Sequence, residues 1–145
     1  MITFNKPYRA GNEFVYMQAA IEQMKISGNG YYTKQCHKFF EQHYGFKKAL
    51  LTHSATAALE MAAILMDVQA GDEIIVPSFT FVSTANAFAL RGATIVFADC
   101  MSGGPVIDVE GLENLITPKT KAIVAVHYGG SSCDMDALTN LVQKH

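Results

Sequence analysis

Short apolar runs alternate with helix-period stretches along most of this chain, and that alternation limits the fold more than any other feature. "GDEIIVP" (71–77), "ATIVFAD" (93–99) and "KAIVAVHY" (121–128) each hold an unbroken apolar centre, and "ALLT" (49–52) is a shorter version. Between and after them lie helical patterns at 56–66, 83–90, 108–116 and 134–144. A strand that is apolar on both sides must be covered on both faces. The order therefore predicts an α/β domain: a mostly parallel sheet with helices on both faces. In such sheets, ligands bind beyond the carboxyl ends of the strands. Four segments reach that place: 53–56, 77–82, 99–104 and 127–132.

Two helices are predicted ahead of the first strand. In 11–25 the residues Phe14, Met17, Ile21 and Met24 fall at helical spacing, and the glycines of "SGNG" end the run. In 33–45 Thr33 is a candidate cap, Cys36, Phe39, Phe40 and Tyr44 form a candidate buried stripe, and Gly45 is the stop. A chain of 145 residues fits one ordinary domain, and 50% hydrophobic residues supply a core. The formal charge is −2 and no Lys/Arg run exceeds Lys47-Lys48, which argues against a nucleic-acid partner. Cys36, Cys100 and Cys133 are odd in number and far apart. They suit a reducing cytoplasm better than a disulfide framework, and their spacing predicts no metal site. The first residues hold no apolar signal core. Residues 74–90 are uncharged but interrupted by Pro77, Asn86 and hydroxyls, so they read as a strand and a buried helix rather than a membrane span.

Of the four segments, "THSATAA" raises the sharpest question. A plain turn favours Gly, Pro, Asn or Asp. Here Ser54, Ala55, Thr56 and Ala57 open a helix with hydroxyls and little bulk. Unpaired helix amides and the macrodipole attract an anion, and small side chains let it approach. Ser54 acting only as a cap explains the same residue. "PSFTFV" places Phe79 and Phe81 two apart, so one ring is expected toward the core and one toward the cleft, unless both are buried. In "VHYGGSSCDMD", His127 and Tyr128 end a strand and Asp134 caps the last helix. His127 reads either as a hydrogen-bonded structural residue or as a catalyst, and Asp99 either as functional or as turn-forming. No GxxxxGK[ST] occurs, and the only GxG, at 28–30, follows a helix rather than a strand. That argues against a common nucleotide-binding loop.

The stretches "LLTHSATAALEMAAILMDVQAGDEIIVPSFTFVSTANAFALRGATIVFADC" and "ITPKTKAIVAVHYGGSSCDMDAL" closely resemble the DegT/StrS group of sugar-nucleotide aminotransferases. These are pyridoxal-phosphate enzymes of fold type I. The resemblance implies that Ala55, Thr56 and Ala57 hold the cofactor phosphate and that Phe81 stacks on the pyridine ring. His127 and Tyr128 would then lie on the substrate side. It implies amino transfer from glutamate to a dTDP-linked 4-keto-6-deoxysugar for surface polysaccharide, by a cytoplasmic homodimer. It also implies that the second, third and fourth strands pair with one another, while the first is separated from them.

The resemblance carries departures. The family's ring-nitrogen aspartate and Schiff-base lysine are expected beyond residue 145. None of Lys6, Lys25, Lys34, Lys47, Lys48, Lys119, Lys121 or Lys144 has the matching context. "CMSGGPVIDVEG" replaces an acidic loop common in the family. The expectation is a single truncated cofactor-binding domain over 1–145, with 1–46 as an N-terminal helical segment, inactive by itself. The alternative is a non-catalytic phosphate-binding or interaction protein derived from the same family.

Overall fold

The structure is a computed structural model that describes residues 6–145. The chain divides into two compact units, one through Leu51 and one from Thr52 to His145.

The first unit carries helices α1 (Glu13–Glu22) and α2 (Tyr31–Tyr44). The Glu13 carboxylate accepts the amides of Ala10 and Gly11, which fixes the entry to α1. The helix ends earlier than the sequence pattern, because Met24 turns left-handed at φ 54° before "SGNG" is reached. Gly30, not Thr33, is the cap residue of α2, so Thr33 lies inside the helix. Gly45 stops α2 at φ 71°, as its lack of a Cβ permits. The expected buried stripe is also corrected. Cys36, Phe39, Phe40 and Tyr44 are exposed, and the more covered residues of α2 include His37 and Glu41. Among themselves the exposed rings stack, with Phe40 on Tyr44 at 5.8 Å and Phe39 on His43 at 5.1 Å.

Residues 49–52 form no strand. The apolar run is present, but a strand exists only where a neighbour completes its hydrogen-bond ladder. Here the amides of Ala49 and Leu51 bond instead to Glu41 and His37.

In the second unit, strands β1 (Glu73–Pro77), β2 (Thr94–Ala98) and β3 (Thr120–Ile123) make one parallel sheet in the order β2-β1-β3. That is the pairing expected for the later three strands. Helix α3 (Ala55–Leu65) precedes β1, and α4 (Ser83–Ala89) joins β1 to β2. The connection from β2 to β3 runs through α5 (Val109–Leu112) and a 3-10 turn (Glu113–Leu115), where a single short helix was expected. Helix α6 (Met135–Lys144) follows β3, capped by Asp134, whose side chain accepts the Ala137 amide at 2.9 Å. Strand β3 stops at Ile123. One further ladder bond, from Val124 N to Ile75 O at 2.8 Å, is all that remains of the longer strand expected to 128.

Helices cover both faces of the sheet, as the unbroken apolar strands require. Alternate strand residues point to opposite faces. Ile74 and Val76 pack with Ala63 of α3 and Ala87 and Phe88 of α4. Ile75 packs on the other side with Leu112 of α5 and Leu138 of α6. At the amino end of the sheet, Lys121 Nζ donates to Asp72 Oδ2 at 2.9 Å and to Asp67 O at 2.7 Å. The Gln69 amide, first, and the Lys121 ammonium hold the Asp72 carboxyl below its ordinary range. Gly92 reverses the chain between α4 and β2 at φ 90°, where a Cβ would meet Ala70 at 3.1 Å.

Candidate functional site

The site is built from the chain around the first turn of α3 and from the loops that leave β1 and β3. Ser54 is extended (φ −158°, ψ 159°), and its Oγ accepts the Ala57 amide at 3.1 Å. The Ser54 carbonyl accepts from Thr52 Oγ1 at 2.7 Å and from the Ala58 amide at 3.2 Å. Ser54 is therefore a cap, and it occupies one of the three small-residue amides. Those of Ala55 and Thr56 have no acceptor among the described residues. Both point outward at the positive end of a helix of 11 residues.

The loop after β1 approaches the same place. Thr56 Oγ1 donates to Ser83 Oγ at 3.1 Å, which joins the first turn of α3 to the first turn of α4. With Thr56 as donor, the Ser83 hydroxyl proton is free for another acceptor. Sequence reasoning missed Ser83. Its signal was there to find: a small hydroxyl residue opens the helix after β1 just as Ser54 and Thr56 open α3. The next residue, Thr84, is buried at 7% exposure and shares a 2.8 Å hydrogen bond with Thr80. That pair braces the loop carrying Phe81.

Neither phenylalanine is in the core. Phe81 is 70% exposed and Phe79 is 52% exposed. The expectation of one ring inside fails because β1 ends at Pro77, so the two-residue alternation of a strand no longer applies at 79–81. Phe79 meets Tyr128 edge-on at 4.9 Å between centroids, which brings the β1 and β3 loops together. Phe81 stays open.

Tyr128 sits on a tight turn. Its amide and carbonyl pair with those of Ser131 at 3.0 and 2.9 Å, and Gly129 and Gly130 take φ 58° and 86°. Two consecutive positive φ values are the reason for Gly-Gly here. His127 Nδ1 accepts the Cys133 amide at 3.1 Å, and Cys133 Sγ donates to Val126 O at 3.2 Å. His127 has a structural bond, which its sequence context left open. Asp99 uses its carbonyl to accept the Asp108 amide at 3.0 Å. The three cysteines are free, and no three His, Cys, Asp or Glu gather into a metal site among the described residues.

This arrangement offers an anion two backbone amides and the hydroxyl proton of Ser83, and it presents an aromatic face. It brings no amine to that place from the unit's own lysines. Lys121 is tied to Asp72 ahead of β1, and Lys144 pairs with Glu113.

Comparison with known proteins identifies the family. Residues 8–145 match the model of the DegT/DnrJ/EryC1/StrS aminotransferase family. GDP-perosamine synthase of Caulobacter vibrioides is 37% identical over 99% of this chain and 39% of its own length. Spore coat polysaccharide biosynthesis protein SpsC of Bacillus subtilis is 46% identical over 77% of this chain and 29% of its own. Among solved structures, Spr1654 of Streptococcus pneumoniae, described as a sugar aminotransferase, superposes in its PMP form with a TM-score of 0.88. It is 32% identical over 99% of this chain and 36% of that one. The chain thus spans about two fifths of the length of GDP-perosamine synthase. Its α/β fold, with a parallel sheet, is shared with part of these fold type I aminotransferase structures. The chain belongs to the DegT/DnrJ/EryC1/StrS aminotransferase family.

Proposed function

We propose that this chain forms the phosphate- and ring-holding part of a pyridoxal-phosphate-dependent aminotransferase that acts on nucleotide-linked keto-deoxysugars. The observation that carries the reading is the Thr56–Ser83 hydroxyl pair beside the two open amides of α3. The residues fit the cofactor. The Ala55 and Thr56 amides and the Ser83 hydroxyl, whose proton is left free by the Thr56 bond, suit its phosphate. Ala57 keeps the approach clear while Ser54 holds its amide. The exposed Phe81 ring suits the flat pyridine. When bound, pyridoxal phosphate supplies the electron sink needed to move an amino group to a keto carbon. His127 and Tyr128 border the substrate side, with Tyr128 braced on Phe79.

Glutamate is the proposed donor. For the acceptor, the resemblance favours a dTDP-linked 4-keto-6-deoxysugar, while the curated relatives' names favour a GDP-linked one. The complete enzyme is proposed to be a cytoplasmic homodimer serving surface polysaccharide, consistent with three free cysteines.

The test has two parts. Pyridoxal phosphate titrated into the chain should move the Ala55, Thr56 and Ser83 amide resonances most. Shifts confined to distant lysines would remove the site. Exchanging residues 1–145 for the matching part of GDP-perosamine synthase should then give an enzyme that aminates a keto-sugar nucleotide. Assaying dTDP- and GDP-linked acceptors in parallel reports the carrier. Phosphate binding without any amination in that chimera would favour the second reading, a non-catalytic phosphate-binding protein. The placement of Lys121 and Lys144 away from the site is the observation on its side.

A further inference from the structure

Gly28-Asn29-Gly30 plays no part in the site above, yet it sets two reacting groups side by side. Asn29 is the only asparagine of the chain that precedes a glycine. The side-chain carbonyl carbon of an asparagine is open to attack by the backbone nitrogen of the next residue, which closes a five-membered ring. A Cβ on that next residue crowds the attack, and glycine has none. Closure also needs a backbone that no ladder holds and a nitrogen that is not already donating. Asn29 lies in the bend between α1 and α2, at φ 59°, outside every helix and strand. The Gly30 amide has no acceptor among the described residues. The asparagines of the second unit differ on both counts. Asn86 sits within α4, Asn114 within the 3-10 turn and Asn140 within α6. They precede Ala87, Leu115 and Leu141, each with a Cβ.

We propose that Asn29 is a site of spontaneous deamidation, and that the carboxylate it yields charges the amino end of α2. The Gly30 nitrogen forms a bond to Asn29 Cγ, and the bond from Cγ to Nδ2 breaks. Nδ2 leaves as ammonia and takes the Gly30 amide proton with it. One water molecule then opens the ring. Addition at Cγ gives aspartate, and addition at the Asn29 backbone carbonyl carbon gives isoaspartate, whose main chain runs through Cβ and Cγ. No oxidation or reduction occurs, and solvent water is the only co-reactant.

The position of the product gives the modification its consequence. Gly30 is the cap residue of α2 and offers no side chain to the first amides, and the first turn holds no acidic residue. The positive end of a 14-residue helix is thus left without a negative partner from its own sequence. Either product puts a negative charge next to that end.

The experiment ages the full chain in warm, mildly alkaline buffer and follows it by isoelectric focusing and peptide mass mapping. An acidic species with one added negative charge should accumulate, its mass change should map to Asn29 ahead of every other asparagine, and it should contain both aspartate and isoaspartate. Gly30→Ala is the discriminating variant. Its Cβ would meet Lys25 O at 3.6 Å and Ser27 O at 3.8 Å, ordinary contacts, and the Gly30 φ of −77° suits any residue, so the variant should fold and should deamidate more slowly. Asn29→Gly accepts the positive φ and should form no acidic species at this position. Asn29→Asp stands for the product with an unaltered main chain. Its Tyr31, Tyr32 and Thr33 amide resonances should be displaced from those of N29G, and added salt should shrink the displacement, as it does for a charge at a helix end. Deamidation spread evenly over the asparagines, an undiminished rate in G30A, or aspartate as the sole product would overturn ring closure at Asn29. Coincident α2 resonances in N29D and N29G would overturn the effect on the helix.

Discussion

Thr56 Oγ1 donates to Ser83 Oγ at 3.1 Å, and this one bond ties the helix before β1 to the helix after it. Two sequence segments separated by 27 positions become one hydroxyl-lined site. Because Ser54 already holds the Ala57 amide, the proposed phosphate would have the amides of Ala55 and Thr56 as its backbone partners.

Thr56→Val keeps the shape of the side chain and removes the bond that turns the Ser83 hydroxyl proton toward the phosphate. A net hydrogen bond contributes about 0.5–1.5 kcal/mol, so phosphate affinity should fall roughly twofold to tenfold. Ser54→Ala should act differently. It costs about 1 kcal/mol of stability as a lost cap, yet frees the Ala57 amide to shift on anion binding. An NMR phosphate titration of both variants checks this. Equal affinity for T56V and the parent would remove Thr56 from the site.

Phe79 and Phe81 should separate stability from binding. Phe81→Ala alters an open ring, so stability should change by less than about 0.5 kcal/mol, while pyridoxal-phosphate affinity drops. Phe79→Ala breaks the Tyr128 edge contact and should lower stability, with aromatic pairs worth about 0.5–1.5 kcal/mol. Urea unfolding and cofactor titration read the two effects. The opposite ranking would reassign the stacking residue.

The 145-residue polypeptide by itself should not turn over glutamate. Within 52–145 the lysines are Lys119, Lys121 and Lys144, and the last two are engaged with Asp72 and Glu113. No 2-oxoglutarate should accumulate when the chain is mixed with pyridoxal phosphate, glutamate and a keto-sugar nucleotide. Catalytic turnover would defeat this expectation.

Asp72 sets an acid dependence. Its folded pKa lies below the unfolded value, because the Gln69 amide and Lys121 favour the charged form. The stabilisation is therefore complete above the unfolded pKa of about 3.9 and is lost as pH falls through the folded pKa. Asp72→Asn should unfold more easily than the parent near neutral pH, and the gap should close in acid. Denaturant midpoints at several pH values test it. A gap independent of pH would contradict the assignment.

Leu112→Ala probes the covered face beyond α5. Leu112 is fully buried with Ile75 and Leu138, so the change should cost about 2–5 kcal/mol. A shift below about 1 kcal/mol by chemical unfolding would mean that this face is loosely packed.

Much of the fold was legible from local pattern. The apolar centres of β1, β2 and β3, the helices between them and the caps at Ser54 and Asp134 all depend on residues close in sequence. Coverage of both sheet faces followed from the absence of polar residues at Ile74, Ile75 and Val76. Other features depend on partners that periodicity does not name. The 49–52 run has strand composition, but His37 and Glu41 from α2 took the amides a ladder would have used. The aromatic stripe of α2 has the spacing of a buried face, yet spacing does not say what covers it, and the rings are exposed. Thr33 could have been a cap, but Gly30 starts the helix three residues earlier. The small-residue turn was legible as a candidate anion site. That Ser83 lies beside it was decided only by the tertiary structure, because the packing of α3 against α4 closes a gap that no local rule measures.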